Sequence, residues 1–166
     1  MKNLEKELQK KWLEPHLLGK KIRSLREKNK TIATLNGSFD LMHSGHLRII
    51  YEASIQADIL IVALNTDSSI QRYKSKKRPI IELKYRIEMI SSLFFVDYVT
   101  SFDETDPIKI LSIIKPDVHI NGKEYSENCI EADIVKKNGG KIHIVDLVNK
   151  KNLSTTNIIK KIKLCE

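Results

Sequence analysis

Cysteine, aromatic residues and long apolar runs are all scarce in this 166-residue sequence. Cys129 and Cys165 are its only thiols; they lack the paired spacing of a disulfide framework or a zinc knuckle, and both are expected to be free. The longest apolar stretches, such as Ile59 to Leu64 and Ile90 to Val96, fall far short of the roughly 20 residues that span a bilayer, so no membrane segment is expected. Met1-Lys2-Asn3-Leu4-Glu5-Lys6 alternates charge, without the apolar core and cleavage site of a secretory signal, and a cytoplasmic location follows. Aromatic side chains make up 6% of the chain and offer few platforms on which unpaired bases could stack. Neither GxxxxGK[ST] nor GxGxxG occurs, which removes the phosphate cradles of a P-loop kinase and of a dinucleotide-dependent dehydrogenase. There is no internal repeat and no low-complexity linker.

Positive charge, in contrast, is plentiful. The formal net charge of +8 favours nucleic acid, a membrane surface or phosphorylated metabolites as partners, without choosing among them. The lysines are spread along the whole chain, and most suit a solvated surface. With 41% hydrophobic residues the chain can build one sizeable core, so a single domain is expected.

Residues 1–30 are dense in Lys and Glu, with apolar positions at Trp12, Leu13, Leu17, Leu18, Ile22 and Leu25. That pattern predicts a helical N-terminal extension, broken near Pro15 and Gly19, ahead of a main domain over residues 31–166. Short β-rich runs follow at Thr31 to Leu35, Ile59 to Leu64, Tyr98 to Ser101, Val118 to Ile120 and Ile142 to Val145. Helical spacing fills the intervals at Gly45 to Gln56, Leu83 to Leu93, Pro107 to Ile114 and Cys129 to Lys137. Ser154-Thr155-Thr156 reads as a hydroxyl-rich cap opening a final helix. Alternating strand and helix imply a five-stranded, doubly wound parallel sheet of Rossmann-like α/β class, in which chemistry is sought just beyond the strand ends.

Directly after the first strand stands Asn36-Gly37-Ser38-Phe39-Asp40-Leu41-Met42-His43-Ser44-Gly45-His46. Two histidines three apart at a helix start share one face, and helix N-termini already attract anions. Gly45 would let a phosphate approach the backbone, and the imidazoles would add donors. Two histidines do not make a zinc site, and His16, His119 and His143 carry no spacing that nominates them as further ligands, so no metal-ligating residue is assigned. The HxGH pattern is also similar to the HIGH signature of class I aminoacyl-tRNA synthetases, whose further domains a chain of this length has no room for.

These residues, with Arg78-Pro79-Ile80, Phe102-Asp103-Glu104, Lys115-Pro116-Asp117-Val118 and Ser154-Thr155-Thr156, resemble the cytidylyltransferase-like nucleotidyltransferase superfamily from about Thr31 to the end. Within it the wording looks most like the D-glycero-β-D-manno-heptose 1-phosphate adenylyltransferases of ADP-heptose and lipopolysaccharide synthesis, with glycerol-3-phosphate cytidylyltransferase a near relative. The chain departs from the heptose pattern at Asn121-Gly122-Lys123-Glu124-Tyr125 and at Ser38.

The resemblance implies attack by a substrate phosphate oxygen on the α-phosphorus of a nucleoside triphosphate, ATP by preference, with pyrophosphate leaving. By resemblance His43, His46 and Lys74 carry the catalysis, and Gly37, Ser38, Phe39, Asp40, Gly45, Lys76, Arg78, Ser154, Thr155 and Thr156 bind the nucleotide. Lys74 and Lys76 are expected in a loop after the second strand. Arg86 is expected on the following helix, either reaching a phosphate or in a surface salt bridge, while Asp40 and Asp67 are each expected to hold the active-site loop, to face the substrate, or to serve as capping or loop structure. Mg²⁺ is implied through the triphosphate, a homodimer is common among such relatives, and a separate sugar kinase would supply the acceptor. A non-catalytic module binding a nucleotide or nucleic acid is the competing class, disfavoured by the intact histidine pair and the few aromatics; no nucleic-acid partner is expected.

Overall fold

The computed structural model describes residues 3–123, 129–146 and 154–165. Along the chain run α1 (Leu4–Lys11), a 3-10 turn (Pro15–Leu17), α2 (Leu18–Glu27), β1 (Ile32–Gly37), α3 (Ser44–Ser54), β2 (Ile59–Asn65), α4 (Asp67–Tyr73) and α5 (Leu83–Ser91). There follow β3 (Tyr98–Phe102), α6 (Ile108–Ile114), β4 (Val118–Gly122), α7 (Ala132–Lys137), β5 (Lys141–Val145) and α8 (Thr155–Lys163). The strands form one sheet in the order β3-β2-β1-β4-β5, with every neighbouring pair parallel. This is the doubly wound Rossmann-like α/β domain that the alternation of elements implied.

Strand alternation explains why the sheet is covered on both faces. Ala33, Leu35, Leu60, Val62, Leu64, Val99, Val118 and Ile120 point to one side, where Ile50 and Ala53 of α3 and Ile90 of α5 meet them. Ile32, Ile61, Ala63 and Phe102 point to the other, against Leu18, Ile22 and Leu25 of α2 and Ile110 and Ile114 of α6. The N-terminal helices therefore contribute to the core. Trp12 bridges to Val99, and the Leu13 N–H donates to the Val99 carbonyl at 2.8 Å, strapping the lead-in to the edge strand.

Two details differ from the sequence reading. The helical lead-in breaks around Pro15 but not at Gly19, which lies inside α2, because its neighbours Leu18 and Ile22 gain more from burial than one glycine costs. A helix, α4, stands where a plain loop was expected between β2 and Lys74; the Thr66 side chain caps it by accepting from the Ser69 N–H. Between α7 and β5 the chain turns through Gly139, at φ +83°, and Gly140, where a Cβ would lie 2.2 Å from the Pro116 carbonyl. Among the described residues no helix is long and apolar enough to cross a membrane.

Connections leave β1 toward β2 and β4 toward β5, on opposite sides, so the topological switch lies between β1 and β4. A crevice opens beyond the carboxyl ends of two such strands. The segment after β1 therefore enters the position where this fold binds ligands.

Candidate active site

Beyond β1 the chain makes a tight excursion, with Phe39 and Leu41 in the left-handed region at φ 47° and 52°. Asp40, between them, is 1% exposed and shapes the turn. Its carboxylate accepts from the N–H groups of Ile80 and Ile81 at 3.0 Å and from Arg78 Nε at 2.7 Å. Burial pushes this carboxyl up, but those backbone donors and the Arg78 guanidinium outweigh it and hold it below the ordinary aspartate value. The Asp40 carbonyl accepts from Thr155 Oγ1 at 2.8 Å, which seats the start of α8 against the same turn. Asp40 thus holds the active-site loop, one of the roles expected of it, and Arg78, expected to bind nucleotide, gives its Nε to that carboxylate.

The histidines open α3. His43 is the N-cap: its Nδ1 accepts from the Gly45 N–H at 3.1 Å, while His46 Nδ1 accepts from the His43 N–H at 3.4 Å, a reciprocal capping box built from two imidazoles. The rings stack with centroids 3.9 Å apart, and the edge of Phe39 meets His46 at 5.5 Å. A ring nitrogen that accepts a backbone N–H carries no proton, so each neutral imidazole is held as the Nε2–H tautomer. Burial, followed by the neighbouring His43 ring and the Lys74 ammonium, lowers His46 to about 4 against the opposing pull of Asp40. His46 is therefore a neutral hydrogen-bond donor at physiological pH. Gly45 gives its N–H to the His43 ring.

Lys74 caps the C-terminus of α4, and its Nζ donates to Ser38 Oγ at 2.8 Å. Burial, then Arg78, lowers its ammonium below the usual lysine value. Ser38, Lys74, Phe39 and the histidines are in this way brought together, with Gly37 packed under the Phe39 ring, 3.3 Å from where a Cβ would stand. Lys76 is exposed on the turn that follows. At α8 the Ser154 hydroxyl accepts from the Asn157 N–H at 3.2 Å and Thr156 is exposed, so of the three hydroxyls two already hold the local structure. Residues 124–128 and 147–153, which include Glu124, Tyr125 and the stretch Val148 to Leu153, lie outside the described residues.

Some of the arrangement is not apparent from sequence. Arg86 does not reach toward a phosphate or the surface: it is 1% exposed and ion-paired with Asp67 at 2.7 Å. At the ends of β2 and β3, Asp103 accepts from Thr66 Oγ1, Ser68 Oγ and Arg72, which together hold its carboxyl at about 2. The Thr66-Asp67-Ser68 run after a strand is a capping signal that could have located this cluster. A cavity of about 350 Å³ lined by Pro15, Leu18, Phe102, Ile110 and Ile113 lies on the α2 and α6 side of the sheet and includes no histidine of the pair. Among the described residues no group of three or more His, Cys, Asp or Glu side chains is placed to hold a metal ion. Neutral imidazole donors, an ammonium held against Ser38 and two helix N-termini around one turn form a receptor for anionic oxygens, with no strong general base among them.

A family model described as cytidylyltransferase-like matches residues 34–161. The bifunctional protein HldE of Syntrophotalea carbinolica is 38% identical over 138 residues, covering 82% of this chain and 28% of that protein. HldE of Pseudomonas fluorescens is 42% identical over 139 residues, covering 83% and 29%. The chain thus spans less than a third of the length of these curated relatives. Among solved structures, the lipopolysaccharide core biosynthesis protein of Thermoplasma volcanium superposes with a TM-score of 0.57 at 29% identity, covering 70% of this chain and 95% of that one. The pantoate-beta-alanine ligase of Francisella tularensis, solved with beta-gamma ATP and beta-alanine, gives a TM-score of 0.56 at 19% identity, covering 88% and 75%, and shares the fold.

Proposed function

The chain belongs to the cytidylyltransferase-like family and is a nucleotidyltransferase, and on that premise we propose that it transfers AMP from ATP to D-glycero-β-D-manno-heptose 1-phosphate, forming ADP-heptose and pyrophosphate. The observation that carries the reading is the pair of stacked imidazoles locked by backbone N–H groups into the Nε2–H form at the start of α3. Similarity to HldE proteins and to a lipopolysaccharide core biosynthesis protein supports a sugar phosphate as acceptor.

In this reaction an oxygen of the acceptor phosphate attacks the α-phosphorus of ATP, and the bond from that phosphorus to the bridging oxygen of the leaving pyrophosphate breaks. The nucleophile is already anionic, so no proton needs removing and the residues act by positioning and charge neutralisation. His43 and His46 donate to oxygens that gain charge during transfer, with no proton lost from either ring. The Lys74 ammonium, held against Ser38, adds a fixed positive charge, and Lys76, Thr156 and the α8 N-terminus supply further donors to the β and γ phosphates. The site offers hydroxyls and cations rather than a carboxylate set, which suits a magnesium ion carried by phosphate oxygens; bound there it would neutralise phosphate charge. The acceptor is itself a phosphate ester, so a sugar-kinase reaction must supply it.

Pyrophosphate release from each nucleoside triphosphate, measured against a panel of sugar and polyol phosphates, tests the assignment. The ratio of kcat/KM values should favour ATP with the heptose phosphate over CTP with glycerol 3-phosphate by at least about a hundredfold, because the wrong pair leaves buried polar groups unmatched. Faster turnover of the CTP pair refutes the heptose assignment. No pyrophosphate from any pair refutes the transferase mechanism.

A further inference from the structure

We infer that Arg86 is a positioning residue for nucleotidyl transfer: its buried guanidinium ties the segment leading to the histidine pair to the end of β2 and to the loop ahead of α5. The inference rests on the transferase reading above and concerns a residue that touches no phosphate, since its side chain is 0% exposed.

Its bonds reach distant parts of the chain. Nη1 donates to the Ser38 carbonyl at 2.6 Å, and Nη2 to the Asn65 carbonyl at 3.0 Å and to Asp67 Oδ1 at 2.7 Å. Nε donates to the Ile81 carbonyl at 2.9 Å. The far oxygen of Asp67 accepts from the Leu83 N–H at 3.3 Å, so the counter-ion is itself anchored to the start of α5. The loop ahead of α5 is held a second time by Asp40, which accepts from the Ile81 N–H. Ser38 links the two sides, because its carbonyl takes Arg86 while its hydroxyl takes the ammonium of Lys74.

Packing alone does not call for this residue. A buried cation is costly to desolvate, and an apolar side chain of similar volume would fill the space at no such cost. What an apolar side chain lacks is a rigid planar fork that sets the direction of three carbonyls and one carboxylate at once, and lysine lacks it too. Ser38 lies five residues before His43 in a turn that contains two left-handed residues, so a shift of its carbonyl is passed along a stiff segment to both imidazoles. Misplacement by about 1 Å costs on the order of a hundredfold in rate where transfer depends on alignment.

The experiment compares Arg86→Lys with wild type in kcat per folded molecule, the folded fraction being set by urea denaturation. Calorimetry supplies the Kd of a non-hydrolysable ATP analogue. Expected is a kcat loss of about 30-fold to 100-fold with Kd changed less than about threefold, because the donors remain but their alignment is lost. A kcat within about threefold of wild type overturns the inference, as does a Kd that weakens in parallel with kcat. Should Arg86→Lys not fold, Asp67→Asn carries the test: it keeps an acceptor oxygen, removes the anchoring charge and should lower kcat about tenfold, and unchanged kcat overturns the inference. If wild type transfers nothing to any acceptor, the transferase reading fails separately. The inference then turns on the ring resonances of His43 and His46, followed by NMR, which must shift in Arg86→Lys as the two imidazoles are displaced; unmoved resonances overturn it.

Discussion

Acid should destabilise this protein through one buried and one half-buried histidine well before its carboxylates matter. His119 is 0% exposed in the centre of the sheet on β4; its Nδ1 lies 2.8 Å from Thr34 Oγ1, and burial lowers its ring to about 4. His46, lowered to about 4 chiefly by burial, behaves alike. In the unfolded chain both rings titrate near 6.5, so below that pH the unfolded state binds two protons that the folded state refuses, and stability falls as pH falls toward 4. Each ring contributes a slope of up to about 1.4 kcal/mol per pH unit, so moving from pH 6.5 to 4.5 removes about 4 kcal/mol in all. That is a large share of a total stability of about 5–15 kcal/mol. Asp40, Asp58, Asp103 and Glu104, whose folded carboxyls lie below their ordinary values, lose their contributions only at lower pH. Urea denaturation followed by circular dichroism at pH 6.5, 5.5 and 4.5 measures the slope. His119→Asn should cost stability at neutral pH yet halve the slope, since one of the two refusing rings is gone. Wild-type stability that stays level from pH 6.5 to 4.5, or an unchanged slope in His119→Asn, refutes the reasoning.

Replacing His43 or His46 by Ala should leave the fold intact and lower kcat by on the order of 10² to 10³, the scale for removing one preorganised donor; a folded variant with near-normal turnover would remove that role. Gly140→Ala forces a Cβ to within 2.2 Å of the Pro116 carbonyl, and backbone must move, so a loss of at least about 1–3 kcal/mol in urea denaturation is expected; wild-type stability would show that the α7–β5 turn is slack. Cys129→Ser combined with Cys165→Ser should change neither turnover nor Tm in reducing buffer, because both thiols are free; lost turnover would reveal a thiol role.

Much of the architecture could be read locally. Five apolar runs alternating with helical spacing specify a parallel sheet covered on both faces, since such runs leave no side for water and such order leaves no hairpins. The histidine pair was equally legible, because a capping position and its partner three residues on belong to one helical turn whatever surrounds them. Ser154 was legible as an N-cap for the same reason. The seven-residue α4 was only half legible: Thr66 gives a capping signal, but Thr66-Asp67-Ser68-Ser69 reads equally as a turn until Asp103 and Arg72 close around it.

What the tertiary structure alone decided is how the polar and charged residues are spent. Asp40 and Arg78 are 38 positions apart, Arg86 and Ser38 48, and Thr34 and His119 85. Periodicity and capping carry no information at such separations; the pairs exist because parallel strands bring the ends of β1, β2 and β4 side by side. A sequence motif names the groups that can donate to a phosphate. Packing determines which are still available to do so, because a buried charge must be satisfied locally before it can act on anything else.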